Sequence, residues 1–318
     1  MQFRRALAVV LLVLGSPAAS QTQAGFTGIV AFGDSLTDTG NVYAQTGFTY
    51  PTPPYAGGRF SNGPLWVETL ALGLGLEAPR PVSLGGTNYA FANAETGAEP
   101  GPGGSVSGVP NLDTQVGLYL LSGPQDAASK LFVVWAGAND LLHQAAPNPA
   151  RSVGNILSQI TALSQAGAKE FVVPNLPQLG YTPAVAAFGP AAAAQFNLLT
   201  QDFNMRLAAG LGGLASGLGI RIHQLDVDGV FQQILANPSR FQISNITAAA
   251  KSGETGLPGT VDRDADHFLF WDGVHPTARV HDLIGQGALA PFAVPEPSSC
   301  LLVGLGIAAC SVAARRRR

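Results

Sequence analysis

Cysteine is nearly absent from this chain of 318 residues, which has only Cys300 and Cys310. Both lie in an apolar stretch close to the C-terminus, so the rest of the chain contains none. A disulfide framework and a cysteine-ligated metal site are therefore excluded from the body of the protein. Its stability has to come from an ordinary hydrophobic core, and a body of this size can bury roughly three quarters of its unfolded surface.

The chain also has no excess of positively charged residues over negatively charged ones. The formal net charge at pH 7 is −3 and includes arginines at both ends of the chain, so the body alone is more acidic. A nucleic-acid partner is not expected on that balance. His143, His223, His267 and His281 show no metal-ligand spacing with carboxylates, so no metal site is predicted.

Residues 1–20 have the order of a secretory signal peptide. Arg4 and Arg5 form a basic start, residues 6–14 are apolar, and small residues lead up to Ser20. We expect cleavage after Ser20. An N-terminal membrane anchor is the alternative, but the apolar run is too short to span a bilayer.

Residues 294–318 consist of Val-Pro-Glu-Pro, an apolar stretch over 298–314 and four terminal arginines. As a helix the stretch would rise about 25 Å, enough for a thin bilayer, with the arginines on the cytoplasmic side. The tail resembles the PEP-CTERM sorting signal of Gram-negative bacteria that make exopolysaccharide, which an exosortase recognises. This implies that the body, 21–293, is exported to the cell surface or extracellular matrix. The C-terminal helix would hold it in the inner membrane until an exosortase-type enzyme processes it. A simple tail anchor is the alternative.

Apolar runs rich in β-branched residues alternate with helical patterns along the body. This alternation indicates an α/β fold whose parallel sheet is covered by helices on both faces. A loop over 95–108 either overhangs a substrate cleft or is disordered, and a second loop, 251–266, directly precedes the last motif. The predicted strands are 27–32, 131–135, 170–173 and 220–225, and the predicted helices are 64–74, 150–166 and 190–209.

The first predicted strand runs into the sequence GDSL, which puts Ser35 just past a buried strand. Open parallel sheets bind their ligands at this edge. A helix beginning at Ser35 would add free N–H groups and a dipole that favour negative charge there. A lone Gly-Asp-Ser is also a common helix cap, so by itself it favours capping over catalysis.

Near the C-terminus, Asp272 and His275 are separated by two residues in the sequence DGVHP. A serine hydroxyl needs a base to take its proton, and that base needs a partner that fixes its tautomer. A turn at this spacing can direct both side chains the same way and so supply both groups. The alternative is that Asp272 caps the following helix and His275 lies on the surface.

A third signal is Asn139, which follows the predicted strand 131–135 in the sequence AGAND. An asparagine amide at this edge can donate to a developing oxyanion, and one such donor typically contributes about 3–4 kcal/mol to transition-state stabilisation. A turn is the commoner use of these residues. The three signals occur in one order, which makes them stronger together than singly.

Together these segments resemble blocks one, three and five of the GDSL, or SGNH, hydrolases, from about residue 29 to residue 284. The resemblance implies a three-layer α/β/α sandwich with a central parallel five-stranded sheet. It also implies esterase or lipase activity without a cofactor. The matching segments are FGDSLTDTGN (32–41), GAND (137–140) and DGVHP (272–276), supported by GRFSNGPLWVE (58–68) and PNLPQLG (174–180).

The resemblance carries over to the site position by position. Ser35 is similar to the family's nucleophile, His275 to its base and Asp272 to the residue that orients the base. The implied oxyanion hole consists of the Ser35 N–H, the Asn139 side chain and a backbone N–H from block two.

Block two is where the chain departs from the family. Residues 85–94 read GGTNYAFANA, with Ala92-Asn93 where the family has a glycine pair. Asn93 is the expected donor, because a main-chain N–H does not depend on the side chain and asparagine tolerates positive φ. Gly85 or Gly86 is the alternative donor.

The sequence thus predicts an exported ester hydrolase that works through a Ser35 acyl-enzyme on a short-chain or acetylated glycan ester. Two alternatives stay open. One is an acyltransferase, in which an alcohol or a sugar competes with water at the same site. The other is a non-catalytic surface protein associated with exopolysaccharide.

Overall fold

The structure, a computed structural model, describes residues 25–97 and 109–293. The predicted signal peptide, 1–20, and the predicted sorting tail, 294–318, lie outside the described residues, as do residues 98–108 of the first loop. Within the described ranges, no helix combines the length and the apolar composition needed to cross a membrane.

Four parallel strands form the central sheet, in the order β1-β2-β3-β4. The first three are buried over nearly their full length, as apolar runs between two helical layers should be. The strand predictions are confirmed to within one residue at each end. The strands are β1 (Gly28–Gly33), β2 (Lys130–Trp135), β3 (Glu170–Pro174) and β4 (Arg221–Leu225).

The fifth strand position is occupied by an extended segment, 87–91, which is not a regular strand. It runs parallel to β1, and the Ala31 N–H donates to the Thr87 carbonyl at 3.0 Å. The pairing is not a full ladder, because the Gly33 N–H at the end of β1 donates to Gln115 Oε1 at 2.9 Å and not to this segment. The sandwich is therefore the expected one, but its sheet has four regular strands and an irregular edge.

Helices cover both faces of this sheet. They are α1 (Asn41–Gln45), α2 (Trp66–Gly73), α3 (Leu112–Leu121), α4 (Ala138–His143), α5 (Pro149–Gln165), α6 (Pro183–Ala186), α7 (Pro190–Leu218), α8 (Val227–Ala236) and α9 (Ala278–Leu289). α2 packs on α9 to form one layer, while α5 packs on α3 and α7 to form the other. The three-layer α/β/α arrangement is thereby confirmed.

Helix α7 is longer than the sequence pattern predicts. The prediction ends it at residue 209, whereas the helix continues to Leu218 and ends at Gly219, whose φ is 61°. Gly210 allows α5 to pass close by, because a Cβ there would lie 2.4 Å from the Leu157 side chain. The helices predicted over 64–74 and 150–166 are confirmed to within two residues at each end.

A second, two-stranded parallel sheet leads into the C-terminal motif. It consists of β5 (Asn245–Ala249) and β6 (Phe268–Phe270). Directly after β6, the Trp271 N–H donates to the His275 carbonyl at 2.7 Å and closes the turn of the motif. Neither strand is predicted from the sequence, because runs this short show no clear alternation.

Candidate active site

Ser35 lies in a tight turn at the carboxyl end of β1. Gly33 enters the turn with φ 147°, and a Cβ at this position would lie 2.1 Å from the backbone of β2, so only glycine fits. The Asp34 side chain accepts the Leu36 N–H at 3.0 Å and fixes the turn. No helix begins at Ser35, since α1 begins only at Asn41, so a helix dipole does not contribute at this serine.

Ser35 and His275 are hydrogen-bonded although they lie 240 residues apart in the sequence. Ser35 Oγ is 2.8 Å from His275 Nε2, and His275 Nδ1 is 2.8 Å from Asp272 Oδ2. All three side chains are buried. Because the carboxylate accepts the Nδ1 proton, Nε2 is left to accept the proton of the serine hydroxyl.

Asp272 is held at both of its carboxylate oxygens. Oδ1 accepts the N–H groups of Val274 at 2.9 Å and His275 at 2.8 Å, so the carboxylate caps its own turn and not the following helix. Oδ2 also accepts the Tyr55 hydroxyl at 2.6 Å. Burial alone would raise the pKa of Asp272, but the charge and hydrogen bond of His275, together with these donors, lower it to about 2. The carboxylate is therefore ionised at neutral pH.

Asn139 lies in the first turn of α4, directly after β2. Gly137, with φ 117°, makes the bend between them, where a Cβ would lie 2.6 Å from the Phe203 ring. Asn139 Nδ2 donates to the Ala94 carbonyl at 2.9 Å and carries a second N–H. One proton thus ties Asn139 to block two, and the other can serve an oxyanion.

Asn93 adopts a positive φ, 66°, which its residue type tolerates. It lines the same cavity as Ser35 and Asn139. Over residues 25–97 and 109–293, neither the Asn93 N–H nor the Ser35 N–H donates to another protein group. Both are therefore free to donate to a bound ligand.

Gly85 and Gly86 are not brought to this cavity. Their N–H groups donate within a turn, to the carbonyls of Val82 at 2.9 Å and Pro81 at 3.0 Å. The turn lies beside the start of β1, at the opposite end of the strand from Ser35. Neither glycine can be the block-two donor in this arrangement.

The cavity that contains Ser35 and His275 has a volume of about 200 Å³. Asp34 also lines it, and burial raises the pKa of that carboxyl to about 7. Most of the remaining wall is apolar and suits an acyl chain. The apolar side chains of the wall include Trp135, Leu142, Leu179, Phe231, Phe270 and Val274.

Two residues of block one hold block two in place, a role that the sequence pattern does not reveal. Asp38 Oδ2 accepts the Ala92 N–H at 3.0 Å. The Asn41 side chain donates to the carbonyls of Asn88 and Ala90, each at 2.8 Å. The only sequence signal for either residue is its place in the FGDSLTDTGN segment.

The other histidines have unrelated surroundings. His143 lines the cavity, and His223 bonds Glu170 at 2.8 Å on the rim of the sheet. His281 is buried and accepts the Trp66 N–H at 3.4 Å. Among the residues that the structure describes, no group of three His, Cys, Asp or Glu side chains is arranged to hold a metal ion.

Comparison with sequence families gives two matches. Residues 29–287 match the family described as GDSL-like Lipase/Acylhydrolase. Residues 293–318 match the PEP-CTERM protein-sorting motif. The first match spans nearly all of the described body, and the second spans the tail.

The relatives of this chain include two kinds of protein. A phosphatidylcholine-sterol acyltransferase from Aeromonas hydrophila is 28% identical, covering 88% of this chain and 83% of its own length. A GDSL esterase/lipase from Arabidopsis thaliana is 29% identical, covering 87% of this chain and 91% of its own. Among solved structures, a member of the lipolytic protein G-D-S-L family from Veillonella parvula has a TM-score of 0.46 and 17% identity, covering 83% of this chain and 97% of that one.

Proposed function

Because the chain belongs to the GDSL-like lipase/acylhydrolase family, and is thus a carboxylic ester hydrolase, we propose that Ser35 is its nucleophile. His275 is the base and Asp272 orients it. The observation that carries this proposal is the unbroken hydrogen-bond chain, with 2.8 Å from Ser35 Oγ to His275 Nε2 and 2.8 Å from Nδ1 to Asp272 Oδ2. Membership of a hydrolase family leaves the non-catalytic alternative without support.

The first half of the reaction forms an acyl-enzyme. Ser35 Oγ attacks the ester carbonyl carbon while His275 Nε2 takes the hydroxyl proton. The Ser35 N–H, the Asn93 N–H and the Asn139 amide donate to the oxyanion of the tetrahedral intermediate. His275 then gives its proton to the leaving alkoxide oxygen, and the alcohol departs.

The second half returns the enzyme to its starting state. His275 Nε2 takes a proton from water, and the hydroxide attacks the acyl carbon. The bond between the acyl carbon and Ser35 Oγ then breaks. Ser35 recovers its proton from His275, and the carboxylic acid leaves. Ionised Asp272 stabilises the imidazolium that forms in both halves.

Asn139→Ala tests the oxyanion hole. We expect kcat to fall by about 10²–10³-fold with little change in KM, because the lost donor acts mainly on the transition state. Steady-state kinetics with p-nitrophenyl acetate measure the effect. Asn155→Ala is the matched control, since Asn155 Nδ2 donates to Thr96 Oγ1 at 3.0 Å but does not line the cavity. An equal loss in both variants would assign Asn139 to structure alone.

We propose a short-chain or acetylated glycan ester as the substrate. A cavity of about 200 Å³ has room for roughly six or seven groups of the size of a water molecule, and its wall is largely apolar. This volume suits a short acyl chain and leaves the alcohol moiety towards solvent.

A series of p-nitrophenyl esters, together with an acetylated polysaccharide, tests the substrate class. We expect kcat/KM to be highest for acyl chains of about six carbons or fewer, because longer chains exceed the cavity. A maximum at twelve carbons would contradict the proposal.

An acyltransferase is the second candidate function, since one relative bears that name. Glycerol in the same assay decides between them: an acylated glycerol as the main product would establish transfer, and free acid would establish hydrolysis.

We further propose that the body is exported to the cell surface or extracellular matrix of a Gram-negative bacterium. The sorting motif at 293–318 supports an exosortase-type enzyme as the processing partner. Until that enzyme processes the tail, the apolar stretch would anchor the protein in the inner membrane. Terminal peptide mapping of the surface protein tests this route, and retention of both 1–20 and 294–318 would contradict it.

A further inference from the structure

We propose that Tyr55 is a positioning residue of the triad, which links the Asp272 carboxylate to the loop 251–266. The inference rests on the proposed function of Ser35, His275 and Asp272. No sequence motif points to Tyr55, because it contacts Asp272 across 217 residues of chain.

The Gly256 N–H determines that Tyr55 is the donor in its hydrogen bond to Asp272. The Gly256 N–H donates to the Tyr55 hydroxyl oxygen at 2.8 Å. A phenol has a single proton to donate, and the Asp272 Oδ2 atom lies 2.6 Å from it. Burial, and the charge of Asp272, raise the pKa of Tyr55, so the hydroxyl keeps its proton. Tyr55 is therefore a permanent donor to the carboxylate.

The Tyr55 ring is held rigidly enough to position its partner. The ring is buried and meets Trp271 at 5.8 Å and Phe60 at 5.9 Å, in both cases edge-on. The Lys251 ammonium lies 5.3 Å from the ring centroid. Lys251 is buried as well, and its Nζ donates to the carbonyls of Ser252 and Glu254, each at 2.9 Å.

The same loop reaches the substrate cavity. Thr255, directly before the Gly256 donor, lines that cavity. The Gly256 carbonyl accepts the Thr52 N–H at 2.9 Å, and the Tyr50 hydroxyl donates to the Thr255 carbonyl at 3.4 Å. Tyr55 is therefore the one described side chain that bonds both this loop and the triad carboxylate.

Loss of the Tyr55 hydroxyl should change both the orientation of the Asp272 carboxylate and the strength with which its charge acts on His275. Oδ2 would keep only its bond to His275, so the carboxylate could turn about Oδ1. Its negative charge, no longer shared with the phenol, would hold the imidazolium more strongly. The stronger charge interaction would alter the pH dependence of activity, whereas the lost orientation of the imidazole would slow proton transfer from Ser35.

Other ionisable groups face the pair, and a pH measurement must include them. Asp34 and His281 interact electrostatically with His275, while Tyr50 and Lys251 interact with Asp272. None of these groups is altered by a Tyr55→Phe change. A shift in the pH profile of that variant would therefore come from the lost hydroxyl.

Tyr55→Phe keeps the ring, with its contacts to Trp271 and Lys251, and removes only the hydroxyl. We expect kcat to fall about 10-fold to 100-fold with KM within about twofold, the loss expected for one hydrogen bond to a charged group. The acidic limb of kcat/KM against pH should move to higher pH. Thr52→Val is the matched control: it removes a hydroxyl that donates to the Gly256 carbonyl of the same loop at 3.1 Å and does not bond Asp272. Its pH profile should match that of the parent protein.

A double-mutant cycle with Asp272→Asn separates positioning from folding. Tyr55→Phe should lower kcat by less than about twofold in the Asp272→Asn background, because its effect acts through the Asp272 carboxylate, which that background lacks. An equal loss in both backgrounds, or an unmoved acidic limb with a lower Tm, would overturn the inference. If Ser35→Ala retains activity, the proposed function fails first. If Ser35 is required and Tyr55→Phe matches the parent, the inference alone fails.

Discussion

Ser35→Ala is expected to reduce kcat for p-nitrophenyl acetate by on the order of 10⁵–10⁶-fold, the loss seen when a triad nucleophile is removed. The reason is that alanine has no Oγ to form the acyl-enzyme, so only binding and the oxyanion donors still favour the reaction. The fold should be unaffected, because the turn at Ser35 is fixed by Gly33 and by the Asp34 side chain.

Ser216→Ala is the control for this experiment. Ser216 is exposed on α7, where its hydroxyl donates only to the Gly212 carbonyl at 3.1 Å. Its kcat should equal that of the parent protein. Thermal melts of both variants should coincide with that of the parent. Turnover by Ser35→Ala within tenfold of the parent would contradict the assignment of the nucleophile.

Asp272→Asn should lower kcat by about 10⁴-fold, as loss of the orienting carboxylate does in a serine triad. The amide is nearly the same shape, but its N–H₂ can face Nδ1 and favour the tautomer in which Nε2 carries the proton. Nε2 then cannot accept the proton of Ser35. Asp202→Asn is the control, since Asp202 pairs only with Arg206 on the surface of α7. An Asp272→Asn loss below tenfold would exclude Asp272 from the triad.

The same substitution has a pH-dependent effect on stability. The pKa of Asp272 falls from its usual 3.8 to about 2 on folding, so its ionised form contributes about 2 kcal/mol to the free energy of unfolding at neutral pH. That contribution is fully present above about pH 5 and is lost as the pH falls through the folded pKa. The difference in unfolding free energy between parent and Asp272→Asn should therefore narrow between pH 5 and pH 3. Urea titrations at the two pH values measure it.

Much of the fold is predictable because its signals are local. The first three strands of the sheet are largely apolar runs of five or six residues, and the position of Ser35 follows from the end of the first run. Asn93 is of a residue type that tolerates positive φ, and its φ is 66°. The end of α7 is missed because Gly210 normally disfavours a helix, whereas here it lets α5 approach.

The contacts that complete the site join residues far apart in the chain, so they leave no recognisable pattern in the sequence. The Gln115 side chain reaches across 82 residues to take the Gly33 N–H, which leaves segment 87–91 without a full ladder to β1. Asp38 reaches across 54 residues to the Ala92 N–H, and Tyr55 reaches across 217 residues to Asp272. Such contacts depend on how loops fold over the sheet, and no spacing rule predicts that course.

Covalent labelling with a fluorophosphonate, followed by peptide mass spectrometry, tests the central claim most directly. Ser35 Oγ should displace fluoride from phosphorus, so one phosphonyl group should be found on the peptide that contains Ser35, with activity lost in proportion. The Asp272→Asn protein should label much more slowly. A label on another residue, or continued ester turnover with Ser35 fully labelled, would contradict the account.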